Sequence, residues 1–238
     1  MRAVVLVPRR ADHGRRDMIW KHVRKWLQQN HPEWEIFEGY DDGPVFSLSK
    51  ARNDAARKAG SWDVAVILDS DTIAEPKILK DAVIRASMST RLWIAGDIRM
   101  CLSQKSSDQI LHGGLWFPRP DGHLPKNGAN ESIYGEPSSS VMAVSRELWD
   151  AVGGYVESMQ GYGYEDLVFL TSCNIFGDGV SWIPDSIMYH FWHEKSRLTD
   201  DTERNYKIWK QLDGIARNQN ARQVAKIYLE SLGHTVNV

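Results

Sequence analysis

The sequence predicts an α/β fold built on a mostly parallel sheet, and three observations predict it. Strand-like runs and helix-like segments alternate over residues 3–88 in the order βαβαβα. The runs are apolar throughout rather than alternating, the pattern of strands covered on both faces. Pro, Ser or Gly punctuates each helical segment, so the units are separate.

Taken in order, "AVVLV" (3–7) is a β-branched apolar run ended by Pro8 and reads as a buried strand. Ile19, Trp20, Val23, Trp26 and Leu27 recur at helical spacing, an amphipathic helix that stops near His31-Pro32. "WEIFEGY" (34–40) is a second strand, followed by the turn cluster "DDGP". "SLSKARNDAARKAG" offers Ser47 or Ser49 as N-cap, an Ala-rich body and Gly60 as stop. "VAVILD" is the third strand, and "PKILKDAVIRASM" the third helix, with Pro76 in its first turn. From Ile98 to Ser140 Gly, Pro, Ser, Asn and Asp crowd the chain, which points to a lid or binding loop, or to hidden short strands. "VMAVS" (141–145) resumes as a strand, and Ser145 caps the short helix "RELWDAV", ended by Gly153-Gly154. "GYGYEDLVFLTSCNIFG" is a Gly-rich loop entering a helix with Glu165 and Asp166 in its first turn. "VSWIP" and "SIMYH" are strand-like, and helices around 201–213 and 218–232 close the chain.

Composition narrows the function classes. A chain of 238 residues, 42% hydrophobic and 25% charged, is ordinary for one folded enzyme-sized domain rather than a disordered one. A net charge of −2 gives no global reason to expect nucleic acid, although residues 9–26 hold seven Lys/Arg against Asp12 and Asp17. That basic stretch suits a phosphate-bearing ligand or a solvated helix face. Two distant cysteines, no apolar run near the length of a membrane span and no signal-like N-terminus together suggest a cytoplasmic location.

The chemistry-bearing residues begin with "LDSDT". Asp69 and Asp71 follow a buried strand, where open parallel sheets bind ligands. One residue apart in extended chain, both carboxylates can face one side, and hard oxygens at that spacing suit Mg²⁺ or Mn²⁺ bridging to phosphate. A lone D-x-D is also a common polar strand end. Arg52 suits a phosphate clamp, or a plain surface position. Glu165-Asp166 lies where flexible glycines meet a helix N-terminus, although acids there are often dipole partners. His190 ends an apolar strand with His193 three residues on, and a histidine is a natural further metal ligand. Ten Trp offer flat faces for sugar rings, though most serve the core.

In this order the pieces resemble a nucleotide-sugar-dependent glycosyltransferase of the GT-A fold. The resemblance rests on "LDSDT", "SKARNDAARKA", "GGYVESMQGYGYEDLVF" and "MYHFWHE", spans roughly residues 3–195, and is to enzymes of the galactosyltransferase and polypeptide N-acetylgalactosaminyltransferase types. It implies a Rossmann-like, mixed but mostly parallel sheet flanked by helices, with residues 1–200 as catalytic domain and 201–238 as a helical appendage packed on it. It implies Mn²⁺ or Mg²⁺ held by Asp71 and His190, with Asp69 completing the shell or lying against the ribose beside Ser70. Pro8, Arg9 and the Asp41-Asp42 turn would surround base and ribose, with uridine of a UDP-sugar, or another nucleotide sugar, as donor; Arg52 would approach the diphosphate and Gly154 the donor sugar and acceptor. Asp166 would be the general base of an inverting transfer, the retaining enzymes of similar layout keeping that course open, with Glu165 holding sugar or acceptor hydroxyls.

No membrane anchor of the kind usual in family members that act on secreted glycans is expected from the sequence. That favours a bacterial or phage enzyme whose acceptor is a glycan, a protein, a small molecule or a modified DNA base, the last kept open by the basic stretches 9–26 and 195–238. The rival class is a haloacid-dehalogenase-type phosphatase with Asp69 as nucleophile. Ile73 stands where that motif wants Thr or Val, and about two βα units precede the acids where the motif normally follows the first strand. A non-catalytic nucleotide- or sugar-binding module is the third reading.

Overall fold

The computed structural model describes residues 1–113, 132–135, 139–194 and 200–238. The first three βα units are β1 (Ala3–Arg9), α1 (Arg15–Asn30), β2 (Glu35–Tyr40), α2 (Leu48–Ala59), β3 (Val64–Leu68) and, after a short strand β4 (Thr72–Ala74), α3 (Pro76–Ala86). Next come β5 (Leu92–Ile94), β6 (Ile98–Cys101), α4 (Gln104–Leu111), β7 (Ser132–Gly135), β8 (Val141–Ser145), α5 (Arg146–Val152) and α6 (Glu165–Phe176). β9 (Val180–Trp182), β10 (Ile187–His190), α7 (Asp200–Ala216) and α8 (Ala221–Ser231) complete it.

Six strands form the main sheet in the order β2-β1-β3-β8-β5-β9, and only β8 runs against its neighbours. A second sheet, β4-β10-β6-β7, stands beside it. The apolar strands β1, β3 and β8 are buried along their whole length, and Ile19, Trp20, Val23 and Leu27 of α1 join the same core. β1 continues past Pro8 to Arg9. Beyond Leu6 only β2 still pairs with it, so one edge there asks nothing of the missing proline N–H.

Caps follow local chemistry. Of the two candidate serines Ser47 caps α2, accepting from the Lys50 N–H, and Gly60 ends the helix at φ 65°. Ser145 caps α5 by accepting from the Leu148 N–H. A Cβ on Gly39 would collide with the backbone oxygen of Ala51, so β2 and α2 touch main chain to main chain, fixing the helix that carries Arg52. The stretch 98–140 holds more structure than its composition suggests: β6, α4 with Ser103 as cap, and β7. The expected lid falls mostly on 114–131 and 136–138, outside the described residues.

The basic stretch is largely occupied by internal pairs. Arg9 pairs with Asp17 at 2.6 Å, Arg15 with Asp108 at 2.8 Å and Arg24 with Glu38 at 3.2 Å, while Arg16 bonds the His193 ring at 3.1 Å. Neither cysteine is in a disulfide, and among the described residues no helix is long and apolar enough to cross a membrane.

His31 closes α1 as a buried ring stacked on Trp34 at 4.0 Å, neither nitrogen hydrogen-bonded. Burial pushes its pKa down to about 4. Between pH 6.5 and 4 the unfolded chain therefore takes up a proton at His31 that the fold refuses, and stability falls as pH falls. His31→Phe should lessen acid destabilisation across that window by about 3 kcal/mol at most. Thermal melting of both proteins from pH 7 to 4 measures this; identical pH dependence would contradict it.

Candidate active site

The site forms where β3 ends, between its parallel neighbour β1 and its antiparallel neighbour β8, a switch point of the kind where open α/β sheets bind ligands. The chain turns sharply there. The Asp69 N–H donates to Ser140 O at 2.8 Å, and the Thr72 N–H donates back to Asp69 O at 3.1 Å, so Ser70 and Asp71 occupy the turn. β4 then leaves the main sheet and pairs antiparallel with β10, His190 opposite Thr72. The Phe191 N–H donates to Asp71 O at 2.8 Å and continues that pairing. Backbone register thus sets Asp71 beside the end of β10.

Three donor groups converge as a result. Asp71 Oδ1 lies 3.5 Å from His190 Nε2 and Asp71 Oδ2 lies 3.0 Å from His193 Nε2, one ligand atom of each lying within 4.8 Å of the others. Burial alone would raise the Asp71 carboxyl, but both imidazoles and Arg16 hold it well below the usual carboxylate range. Burial pushes His190 down to about 4, which leaves its ring neutral and its lone pair available at neutral pH. One carboxylate with two neutral imidazoles is a coherent set for a divalent cation. The two nitrogens shift the preference from Mg²⁺ toward Mn²⁺. His193 Nδ1 also lies 2.8 Å from Glu194 O and 3.1 Å from Arg16 Nη2, contacts that fix the orientation of the ring.

Asp69, expected to complete the metal shell or to lie against the ribose, is engaged by Arg52. Its Oδ1 accepts from Arg52 Nη2 at 3.0 Å. Arg52 is 2% exposed, lies 4.8 Å over the Tyr155 ring and pairs with Glu165 Oε1 at 3.6 Å. The guanidinium expected to approach a diphosphate is therefore sealed in, because half-buried Asp69, buried Glu165 and an aromatic face surround it. Burial raises the Asp69 carboxyl, Arg52 opposes the rise and Asp71 adds to it.

Glu165 and Asp166 open α6 behind Tyr164, which sits at φ 69°. Glu165 is buried and accepts from the Gly163 N–H at 3.0 Å; burial and then Asp166 push it up to about 7 against the pull of Arg52. Asp166 is half-buried, its Oδ1 accepting from the Leu167 N–H at 2.9 Å. The preceding loop is held from both sides. Asn53 Oδ1 accepts from the Tyr155 N–H at 2.9 Å, and Gly161 N–H donates to Phe46 O at 3.2 Å. From α7, buried Asn205 donates to Gln160 O at 2.8 Å and Gly163 O at 3.1 Å.

Pro8, Arg9 and Asp41 lie at the carboxyl ends of β1 and β2. Arg9 is buried against Trp20 and paired with Asp17 and Glu38, and Asp41 Oδ2 accepts from the Ser47 N–H at 2.8 Å. Gly154 has a packing reason of its own: at φ 73° its Cβ would meet Asn53 Oδ1 at 2.7 Å and Trp149 at 2.9 Å. Two site residues carry no motif. Arg16 reaches the site because α1 packs on the segment after β10, His22 against Phe191 and Arg15 on Trp192 O, and Arg99 because β6 pairs with β10; only the histidine spacing in "HFWH" pointed to His193.

No family model matches the sequence, and no curated protein sequence is significantly similar. Solved structures are similar in fold. GalNAc-T7 with UDP, GalNAc and Mn²⁺ superposes with a TM-score of 0.53 at 12% identity, over 99% of this chain and 55% of the other, so the chain spans about half its length. Staphylococcus aureus TarS (residues 1–349) with UDP-GlcNAc gives 0.53 at 13%, covering 98% and 71%. The Drosophila β1,4-galactosyltransferase 7 catalytic domain with xylobiose gives 0.52 at 16%, covering 86% and 79%. The chain has the GT-A glycosyltransferase fold.

Removing the Arg52 cation should leave half-buried Asp69 and buried Glu165 without their counter-charge. Arg52→Met is expected to cost about 3 kcal/mol or more, read as a lowered denaturation midpoint in urea; an unchanged midpoint would show that the three charges do not depend on one another.

Proposed function

We propose that this protein is a metal-dependent glycosyltransferase that moves a sugar from a UDP-sugar to an acceptor hydroxyl with inversion. The observation that carries the reading is the Asp71–His190–His193 cluster at the switch point of a GT-A fold, linked to an acidic helix start through Asp69, Arg52 and Glu165. The relatives in fold were crystallised with UDP and Mn²⁺ or with UDP-GlcNAc, which supports the donor class. The fold gives the phosphatase alternative no support.

In this reading Asp71, His190 and His193 hold Mn²⁺, which when bound neutralises charge on the donor diphosphate. Asp69 lies against the ribose, oriented by Arg52, and Ser70 lines the same turn. Pro8, Arg9 and Asp41 shape the uridine end through the backbone they fix, and Gly154 keeps the 153–163 loop close to α2. Asp166 accepts the proton of the acceptor hydroxyl. The acceptor oxygen bonds to the anomeric carbon as the bond from that carbon to the phosphate oxygen breaks, the electron pair leaving with the nucleoside diphosphate. Glu165, pinned by Gly163 and Arg52, positions the helix start that presents Asp166. Residues 1–200 form the catalytic unit, and 201–238 brace it through Asn205. The acceptor is a glycan or small molecule bearing a free hydroxyl.

Two outcomes test the reading. UDP and UDP-sugars should raise the melting temperature only with Mn²⁺ present; no stabilisation by any nucleoside diphosphate with any divalent cation would refute it. Asp166→Asn should lower turnover at least a hundredfold while leaving UDP affinity within twofold. Retained turnover would move the base elsewhere.

A further inference from the structure

The site holds four carboxylates, Asp69, Asp71, Glu165 and Asp166, and a diphosphate entering it adds negative charge. The cations nearest them are mostly engaged. Arg52 is buried between Asp69 and Glu165, and Arg16 bonds His193 and Glu194 O. Arg99 differs. Among the described residues neither a hydrogen bond nor an ion pair is recorded for its guanidinium, and its Nε is buried without a hydrogen-bond partner. A buried guanidinium N–H left unpaired is costly, and it marks a place where an acceptor group belongs.

Its placement is set by register. β6 runs parallel to β10 with Arg99 opposite Met188 and Cys101 opposite His190. Directly paired residues project to one face of a sheet, so Arg99 and His190 share a face, one two-residue step apart. The guanidinium is close enough to act electrostatically on Asp69, on His190 and on the Tyr162 hydroxyl of the glycine-rich loop. It therefore acts on both the Asp71–His190–His193 cluster and the loop that leads into Asp166. In the sugar transfer proposed above, charge gathers on the departing phosphate oxygen beside that cluster.

We propose that Arg99 is a diphosphate-binding residue, its unpartnered guanidinium on the face of His190 hydrogen-bonding the phosphate that carries the sugar. This rests on the glycosyltransferase reading and extends it. When the bond from the anomeric carbon to the phosphate oxygen breaks, the electron pair stays on that oxygen and Arg99 stabilises it, with no proton moved. A charge-assisted hydrogen bond strengthens as charge grows on its acceptor, so Arg99 contributes to the chemical step as well as to binding.

The test compares wild type, Arg99→Gln and Arg99→Lys in three measurements: Mn²⁺ affinity by electron paramagnetic resonance, pyrophosphate and UDP affinity with Mn²⁺ by calorimetry, and melting temperature without ligand. Arg99→Gln should weaken UDP and pyrophosphate binding about tenfold or more, with Mn²⁺ affinity and melting temperature unchanged. Arg99→Lys, which keeps the charge and loses the fork, should fall between. UDP and pyrophosphate affinities equal to wild type in Arg99→Gln would overturn the proposal and leave the glycosyltransferase reading standing. A parallel loss of Mn²⁺ affinity and melting temperature would make Arg99 structural and overturn it too. Wild type that binds neither UDP nor pyrophosphate with Mn²⁺ would remove both readings.

Discussion

The buried guanidinium of Arg52 is the interaction on which the site depends. Taking one cation out of water costs several kcal/mol, and here the cost is offset by Asp69 at 3.0 Å, Glu165 at 3.6 Å and the Tyr155 ring beneath. The three partners come from three places in the chain: the end of β3, the start of α6 and the loop after α5. One charge therefore ties the strand-end turn to the acidic helix. The main-chain contact of Gly39 with α2 sets where that charge stands. With Asp69 committed to Arg52, Asp71 is the acid left to face the histidines.

Electrostatics then divides the site into two halves with different tasks. On one side Asp71 stays ionised and His190 neutral, the protonation states a cation requires. On the other, burial raises Glu165 to about 7, so beside Asp166 it titrates near neutrality and relieves repulsion between adjacent acids. Arg99 acts electrostatically on both, through His190 on one side and the Tyr162 hydroxyl on the other. The C-terminal helices take part as well, because Asn205 of α7 holds the backbone of Gln160 and Gly163, and the Tyr164 ring stacks on Trp209 at 5.6 Å.

Much of this was legible in the sequence because it rests on local signals. Apolar runs, Ser47, Ser145, Pro76 and Gly60 marked elements whose ends depend on nearby residues, and "LDSDT" and "GYGYED" stood out by composition. What stayed hidden depends on pairing between distant segments. β5 and β6 are three and four residues long, too short for a period to show. The roles of Asp69 and Asp71 separate only once Arg52 is seen to be buried, and burial of one Arg in an Ala-rich helix has no sequence signature. Arg99 joins the site only through the register of β6 on β10. The basic stretch 9–26 looked like an open patch because its counter-charges, Glu38 and Asp108, lie far along the chain.

In the proposed function Asp71, His190 and His193, rather than Asp69, hold the cation beneath the donor diphosphate. Crystals soaked with MnCl₂ and UDP, measured at the manganese absorption edge, test it directly. The account predicts one strong anomalous peak within about 2.0–2.3 Å of an Asp71 carboxylate oxygen and of both imidazole nitrogens, with UDP phosphate oxygens completing the shell and Asp69 still bonded to Arg52. A peak bound by Asp69 without the histidines, or UDP bound at this turn with no peak at all, would contradict it.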